Sequence, residues 1–377
     1  MRKSKTIKNN ISLRVNNINY SVSRKAFSAG RKNGVINLTI GQPDFDVPAE
    51  IKESAKKNID KGFNRYTETK GVLPLRESVS SRLLKRGVKR SAEEIIVTPG
   101  TTAGIYMSLM ALINPGDEII IFEPYFVAYT EIVTLLGGKV VLAKTDNSFL
   151  PDINHLKKII SKKTKVIIIN SPNNPTGAVY SEKVIREIVR IAKSLNVYII
   201  SDEVYSDYTY DGTKVFSPAK IYKKTILLDG LSKSKGMTGW RIGYIAGPKE
   251  IIDAVEKIQQ FSFVCAPAPF QYAIVEALNI KIDQSIIDRY QDNRDYIFNN
   301  LKDVCNLTTP QGAFYTFIKT PISGEKFVNL LLKEGVAVVD GSAFSKNYSN
   351  YIRISYATTS KKIIAAIIII KNLLNKI

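Results

Sequence analysis

TILLDGLSKSKGMTGWRIGYIAG, residues 225–247, sets two apolar runs around a loop rich in glycine and serine. TILLD (225–229) and RIGYIAG (241–247) read as buried strands. The loop carries Lys233, Lys235, the only tryptophan of the chain and Arg241. Two lysines one residue apart leave open which of them does chemistry.

Outward from this stretch the same kind of run recurs: EIIVT (94–98), EIIIF (118–122), KVVLA (139–143), KVIIIN (165–170) and NVYIIS (196–201). Continuous β-branched runs suit strands covered on both faces, and helical patterns between them suit right-handed crossovers. One such helix follows Ser181, a good N-cap, with Val184, Ile188, Ile191, Ala192 and Leu195 as its apolar stripe. The expected core is an α/β domain with a mixed, mainly parallel sheet between helices. From about residue 280 the character changes. DRYQDNRDYIFNNL (288–301) reads as a long polar helix, AFYTFI (313–318) and YIRISYA (351–357) as short strands, and IIAAIIII (363–370) as part of a buried terminal helix. That is a smaller α+β unit, which the N-terminal arm is expected to join.

The 377 residues are 44 % apolar, ample for a large core. Two cysteines, Cys265 and Cys305, give neither a disulfide framework nor a paired-cysteine metal motif, so a cytoplasmic protein is expected. The net charge of +20 raises nucleic acid as a partner. Lysines, however, run along nearly every predicted helix without crowding one motif, which points to a generally basic surface. Residues 1–43 hold nine Lys or Arg and no acid, but 1–10 lack the apolar segment of a secretory signal, so they read as a basic arm. The longest apolar run, eight residues, is too short to span a membrane.

With one histidine, His155, on a helix without catalytic companions, triad and metal chemistry are poorly supported and no metal is expected. A lysine is the available base. Four loops lie at the carboxyl ends of predicted strands, where open α/β sheets build ligand sites. They are TPGTTAG (98–104), NSPNNPTGAVY (170–180), SDEVYSDY (201–208) and the opening loop. The first offers backbone N–H groups at a helix start to a phosphate.

Together these loops resemble a family. NNPTG (173–177), SDEVY (201–205) and GLSKSKGMTGWRIGY (230–244) match, in order and spacing, the class I and II aminotransferases of the pyridoxal-phosphate (PLP) fold-type I group, aspartate aminotransferase-like. LTIGQPDFDVP (38–48), NRYTETKGVLPLRE (64–77), INPGDEIIIFEPYFVAY (113–129), PQGAFYTF (310–317) and YIRISYAT (351–358) extend the likeness over most of the chain. The resemblance implies a large PLP domain over 46–275, a small domain from 1–45 and 276–377, and a homodimer with shared active sites.

It also implies roles. The family's Schiff-base lysine lies eight residues before its phosphate-binding arginine; counting back from Arg241 selects Lys233, leaving Lys235 to face solvent or the cofactor periphery. Asp202 pairs with the pyridine nitrogen, while Asn174 and Tyr205 bond the ring oxygen. Ser232, Arg241 and the Gly100–Thr101–Thr102 turn hold the phosphate, and Tyr66 reaches the partner subunit's phosphate. Phe126 stacks on the ring, where many relatives carry tryptophan. Arg353 clamps the substrate carboxylate beside Gly41 and Asn174. The function implied is transfer of an amino group from an L-amino acid to a 2-oxo acid such as 2-oxoglutarate, by a ping-pong mechanism. The donor is aspartate or a broader or aromatic amino acid, because QQFSFVCAPAPFQ (259–271) has no basic residue for a second carboxylate and Phe261, Phe263 and Tyr125 are available instead. A PLP-dependent C–S β-lyase would use the same residues.

Overall fold

In a computed structural model of the chain, residues 11–20, 26, 28, 30, 32–278 and 280–377 are described. The first ten residues of the basic arm lie outside them.

The apolar runs form strands close to the expected limits. After the short β1 (Ile36–Asn37) come β2 (Ile95–Thr98), β3 (Glu118–Phe122), β4 (Lys139–Ala143), β5 (Thr164–Asn170), β6 (Tyr198–Asp202), β7 (Thr225–Asp229) and β8 (Gly243–Ala246). Strands β2–β8 make one seven-stranded sheet in the order β2-β8-β7-β6-β5-β3-β4. Only β8 runs against its neighbours β7 and β2. The sheet is thus mixed and mostly parallel. Along β5 and β6, Ile167, Ile169 and Ile199 pack into one cluster while Val166, Ile168 and Ile200 pack into another on the opposite face. Burial on both faces is why these runs show no polar alternation.

RIGYIAG shortens to β8 because Arg241 takes a left-handed conformation (φ 57°), which breaks extended backbone. NVYIIS loses its start because Asn196 is also left-handed (φ 59°) where the preceding helix ends. That helix, Glu182–Ser194, is capped by Ser181 as expected, through the Val184 N–H at 3.4 Å. Its buried stripe is Ile185, Ile188, Val189, Ile191 and Ala192. The expected stripe was rotated: Val184 is only partly buried, and Leu195, just past the last turn, is exposed.

The later strands β9 (Tyr315–Lys319), β10 (Val336–Ala337), β11 (Val339–Asp340) and β12 (Tyr351–Ser355) form two small sheets. One is antiparallel, β11-β12-β9; in the other β1 pairs in parallel with β10, Ile36 opposite Val336. The segment after β1 is thereby stitched to the C-terminal third: Leu38 N–H donates to Ala337 O at 2.8 Å, and Ser355 N–H to Leu38 O at 2.9 Å. The polar helix is Gln284–Leu301, with Ile287, Tyr290, Ile297 and Leu301 on its buried face. The terminal helix Ser360–Lys376 buries Ile363, Ala366, Ile367, Ile370 and Leu374 and exposes Ile364 and Ile368, so one face alone meets the core. Among the described residues no helix is long and apolar enough to cross a membrane.

Strands β5, β6 and β7 are neighbours, and Asn170 lies opposite Asp202 in register. Their carboxyl ends therefore launch the 170–177, 202–205 and 230–236 loops side by side.

Candidate active site

Asp202 ends β6 with its side chain buried, at 4 % exposure. It accepts from Tyr129 Oη at 2.7 Å and from the Val204 N–H at 3.3 Å. Burial outweighs these bonds and pushes its pKa up to about 6, with Lys233 pulling the other way. No cation forms an ion pair with it among the described residues.

β7 leads through Gly230 to Lys233. A side chain at Gly230 would press on the Gly243 backbone, so glycine lets the loop start close against β8. The Lys233 ammonium donates to the Gly41 carbonyl and lies 6.0 Å from the Tyr205 ring centre. Burial first, then the Arg353 charge, lowers its pKa to about 8, against the pull of Asp202. Lys235 corrects the expectation. It is buried at 2 % exposure and donates to the Ile280 carbonyl, facing neither solvent nor the cleft. Its pKa is also lowered by burial to about 8, so a depressed pKa does not separate the two lysines. Position does.

Arg353 sits on β12, its guanidinium between the rings of Tyr315 (4.6 Å) and Phe344 (4.9 Å). It donates to Asn174 Oδ1 at 3.0 Å and to Thr39 O at 2.6 Å, both neutral oxygens, and its buried Nε has no hydrogen-bond partner among the described residues. Asn174 is held in turn by Asn170, whose Oδ1 accepts from the Asn174 N–H at 2.9 Å and whose amide donates to Asp202 O at 3.1 Å. Tyr205 and Tyr315 share a hydroxyl contact of 2.9 Å. Gly41 lies against this pair, since a Cβ there would meet the Tyr315 hydroxyl at 2.7 Å.

At the other end, Gly100 (φ 82°) opens the helix Thr101–Leu112 with no side-chain cap. Its first N–H groups have no partner within the helix. Arg241 lies beside it: any side chain at Gly100 would strike the guanidinium. Arg241 is exposed and, among the described residues, donates only to carbonyls, Thr238 O at 2.9 Å and Pro99 O at 3.4 Å. Ser232 is buried, Thr101 partly so, and Thr102 exposed. Phe126 meets Tyr129 edge to face at 5.6 Å, next to the tyrosine that holds Asp202. Tyr66 stands outside this hydrogen-bonded cluster, 83 % exposed. Phe261, expected near the side-chain pocket, is 89 % exposed. His155 takes a structural role, its Nδ1 accepting from the Lys144 N–H at 3.1 Å.

Sequence reasoning missed Tyr129, Tyr315, Thr39 and Phe344. Tyr129 and Tyr315 lie inside blocks that resemble the family, and a tyrosine near Phe126 was the available signal. Thr39 likewise lies inside the LTIGQPDFDVP block, while nothing local marks Phe344.

The residues fit PLP. A buried carboxylate without a cationic partner suits a protonated ring nitrogen. An unpaired guanidinium beside an uncapped helix start suits a phosphate. The amine between them suits an aldehyde, and Arg353, with one guanidinium nitrogen unpartnered, suits a carboxylate.

Comparison with known proteins agrees. The family described as Aminotransferase class I and II matches residues 33–368. A probable aspartate aminotransferase of Methanocaldococcus jannaschii is 39 % identical, covering 96 % of this chain and 99 % of its own. An aromatic-amino-acid aminotransferase 2 of Thermococcus litoralis is 37 % identical, covering 94 % and 95 %. The solved aspartate aminotransferase of Thermus thermophilus with maleate superposes with a TM-score of 0.92 at 33 % identity, covering 96 % and 99 %. By its sequence and by its fold-type I architecture, the chain belongs to the PLP-dependent class I and II aminotransferases.

Proposed function

We propose that this aminotransferase moves the amino group of an L-amino acid, aspartate or a broader or aromatic donor, to a 2-oxo acid such as 2-oxoglutarate, with Lys233 as the lysine that binds and releases the cofactor. The observation that carries this is the placement of Lys233: its amine donates to Gly41 O and lies 6.0 Å from the Tyr205 ring centre.

PLP, when bound, supplies a ring that withdraws the electron pair left as the Cα–H bond breaks. The chain does the rest. Asp202 would keep a proton on the ring nitrogen, a task suited to a buried carboxylate at the end of a strand. Asn174 and Tyr205 would hold the ring oxygen, Phe126 would pack on the ring, and Ser232, Arg241 and the Gly100–Thr101–Thr102 turn would take the phosphate. Arg353 receives the substrate carboxylate, which orients the Cα–H bond toward Lys233. Lys233 Nζ, its pKa lowered to about 8 by burial and the Arg353 charge, would take the Cα proton once the amine is released.

The donor range follows from what is absent from 259–271, a second cation, and the relatives above carry both aspartate and aromatic in their names. We further propose the division into a large domain over 46–275 and a small one from 1–45 and 276–377, supported by the β1–β10 pairing. A cytoplasmic homodimer is part of the same reading. The exposed Tyr66, with Phe261 beyond the cleft, supports a subunit contact there, and the free Cys265 and Cys305 support a reducing compartment.

A half-reaction screen tests the proposal. Each amino acid is mixed with the PLP-loaded enzyme, and loss of the lysine-linked cofactor absorbance gives the donor profile. Steady glutamate formation with 2-oxoglutarate is the expected outcome; pyruvate and ammonia without an acceptor would point to a β-lyase.

A further inference from the structure

The segment that follows β1 is a strap, and its contacts close a ring on Lys233. Thr39 O accepts from Arg353 and Gly41 O from the Lys233 amine. Three residues on, Asp44 is clamped by the helix Gln284–Leu301. Arg289 donates to both its carboxylate oxygens, at 2.9 and 2.8 Å, and Tyr290 Oη donates to Oδ1 at 2.7 Å. The Asp44 N–H returns a bond to the same hydroxyl at 3.3 Å. The Tyr290 ring is fully buried and stacks on Tyr208 at 6.0 Å, and Tyr208 Oη donates to the Lys233 carbonyl at 2.8 Å. Next to Asp44, Phe45 packs so closely on Gly236 (φ 64°) that a Cβ there would meet Phe45 O at 2.6 Å.

Lys233 is therefore held from both ends of one residue by a path through Asp44: its carbonyl through Tyr208 and Tyr290, its amine through Gly41. We infer that Asp44 is a positioning residue for Lys233, its clamp by Arg289 and Tyr290 keeping the Gly41 carbonyl within reach of the free lysine amine and the Thr39 carbonyl on Arg353. A charge-assisted bidentate pair is the right device, because it fixes direction as well as distance.

The inference rests on Lys233 being the cofactor lysine, and the test keeps the two apart. Asp44→Ala removes the clamp; Tyr290→Phe removes only one hydroxyl and keeps the ring stack. In the PLP-free full chain, amide exchange of 38–46 is expected to quicken about fivefold or more in both variants, with β7 unchanged. The pH midpoint for capture of added PLP should fall by about half a pH unit, since the ammonium loses an oriented acceptor. Asp202, Arg353 and Arg241 face the same amine and are left in place, so the change reads the strap alone. Unchanged strap protection, or an unchanged midpoint, in Tyr290→Phe overturns the inference; if Asp44→Ala loosens the whole fold, Tyr290→Phe decides. Lys233→Ala run alongside tests the underlying assignment: covalent, borohydride-reducible PLP capture surviving in it would overturn that reading while leaving the strap result legible.

Discussion

Arg353 and Asn174, 179 residues apart in sequence, meet through Nη1 and Oδ1 at 3.0 Å. The contact joins β12 to the loop after β5, so the ends proposed to bind the substrate carboxylate and the cofactor are tied by one hydrogen bond.

Replacing Arg353 by lysine keeps a positive charge but cannot reproduce the planar fork that reaches Asn174 and Thr39 while sandwiched between two rings. KM for the amino donor should rise by about 10- to 100-fold, or ~1.4–2.8 kcal/mol, with cofactor absorbance unchanged. Steady-state kinetics across donor concentrations checks this. A KM within twofold of the parent would mean that the carboxylate binds elsewhere.

Lys233→Ala should abolish conversion of the loaded enzyme by any amino acid, whereas Lys235→Met should leave it nearly intact. Lys235 is buried without an ion pair among the described residues, and its one bond is to the Ile280 carbonyl. An apolar chain of similar length removes a buried charge, so the melting temperature should hold or rise. With a folded pKa of about 8 against about 10.4 unfolded, the parent gains stability as pH rises through that window. Lys235→Met should lack that gain. Thermal melts of both proteins at pH 7.5 and 10 settle it.

The two lysines also show where sequence stopped being informative. β3 and β7 could be read from EIIIF and TILLD because strands buried on both faces leave an unbroken apolar run. The separation of Lys233 from Arg241 pointed to one lysine through its family likeness. Nothing in the sequence says that the Ile280 carbonyl meets Lys235, because that contact joins residues 45 apart in the chain. Tyr129 on Asp202 and Tyr290 on Asp44 were hidden for the same reason. They are tertiary contacts spanning 73 and 246 residues.

Behind the site, Arg86 joins the carboxyl ends of β6 and β7 by donating to Glu203 and, at 2.9 Å, to Asp229. Both carboxylates are nearly inaccessible, with side chains 1 % and 4 % exposed. Arg86→Met strips two buried carboxylates of their shared cation. It should cost about 3–5 kcal/mol in urea unfolding, because breaking a buried pair leaves an uncompensated charge. A cost below about 1 kcal/mol would show that water or Arg82 takes over.

Asp202 gives the sharpest pH dependence. In the cofactor-free protein its folded pKa is about 6, against about 3.9 for an unfolded aspartate. Between these values the native state binds more protons than the unfolded state. Stability therefore falls as pH rises from about 4 to about 6, and stays reduced above, by an amount on the order of 3 kcal/mol. Asp202→Asn cannot ionise, so its cofactor-free form should outlast the parent at pH 8 and match it more nearly at pH 4.5. On the proposed pairing of Asp202 with a protonated ring nitrogen, bound PLP should reverse the order, since it would stabilise the carboxylate and not the amide. Urea unfolding of both proteins at the two pH values, with and without PLP, measures the difference directly; other titrating groups cancel between them. Equal pH slopes in the cofactor-free pair would mean that Asp202 is ionised without penalty, and that it is not waiting for a cation.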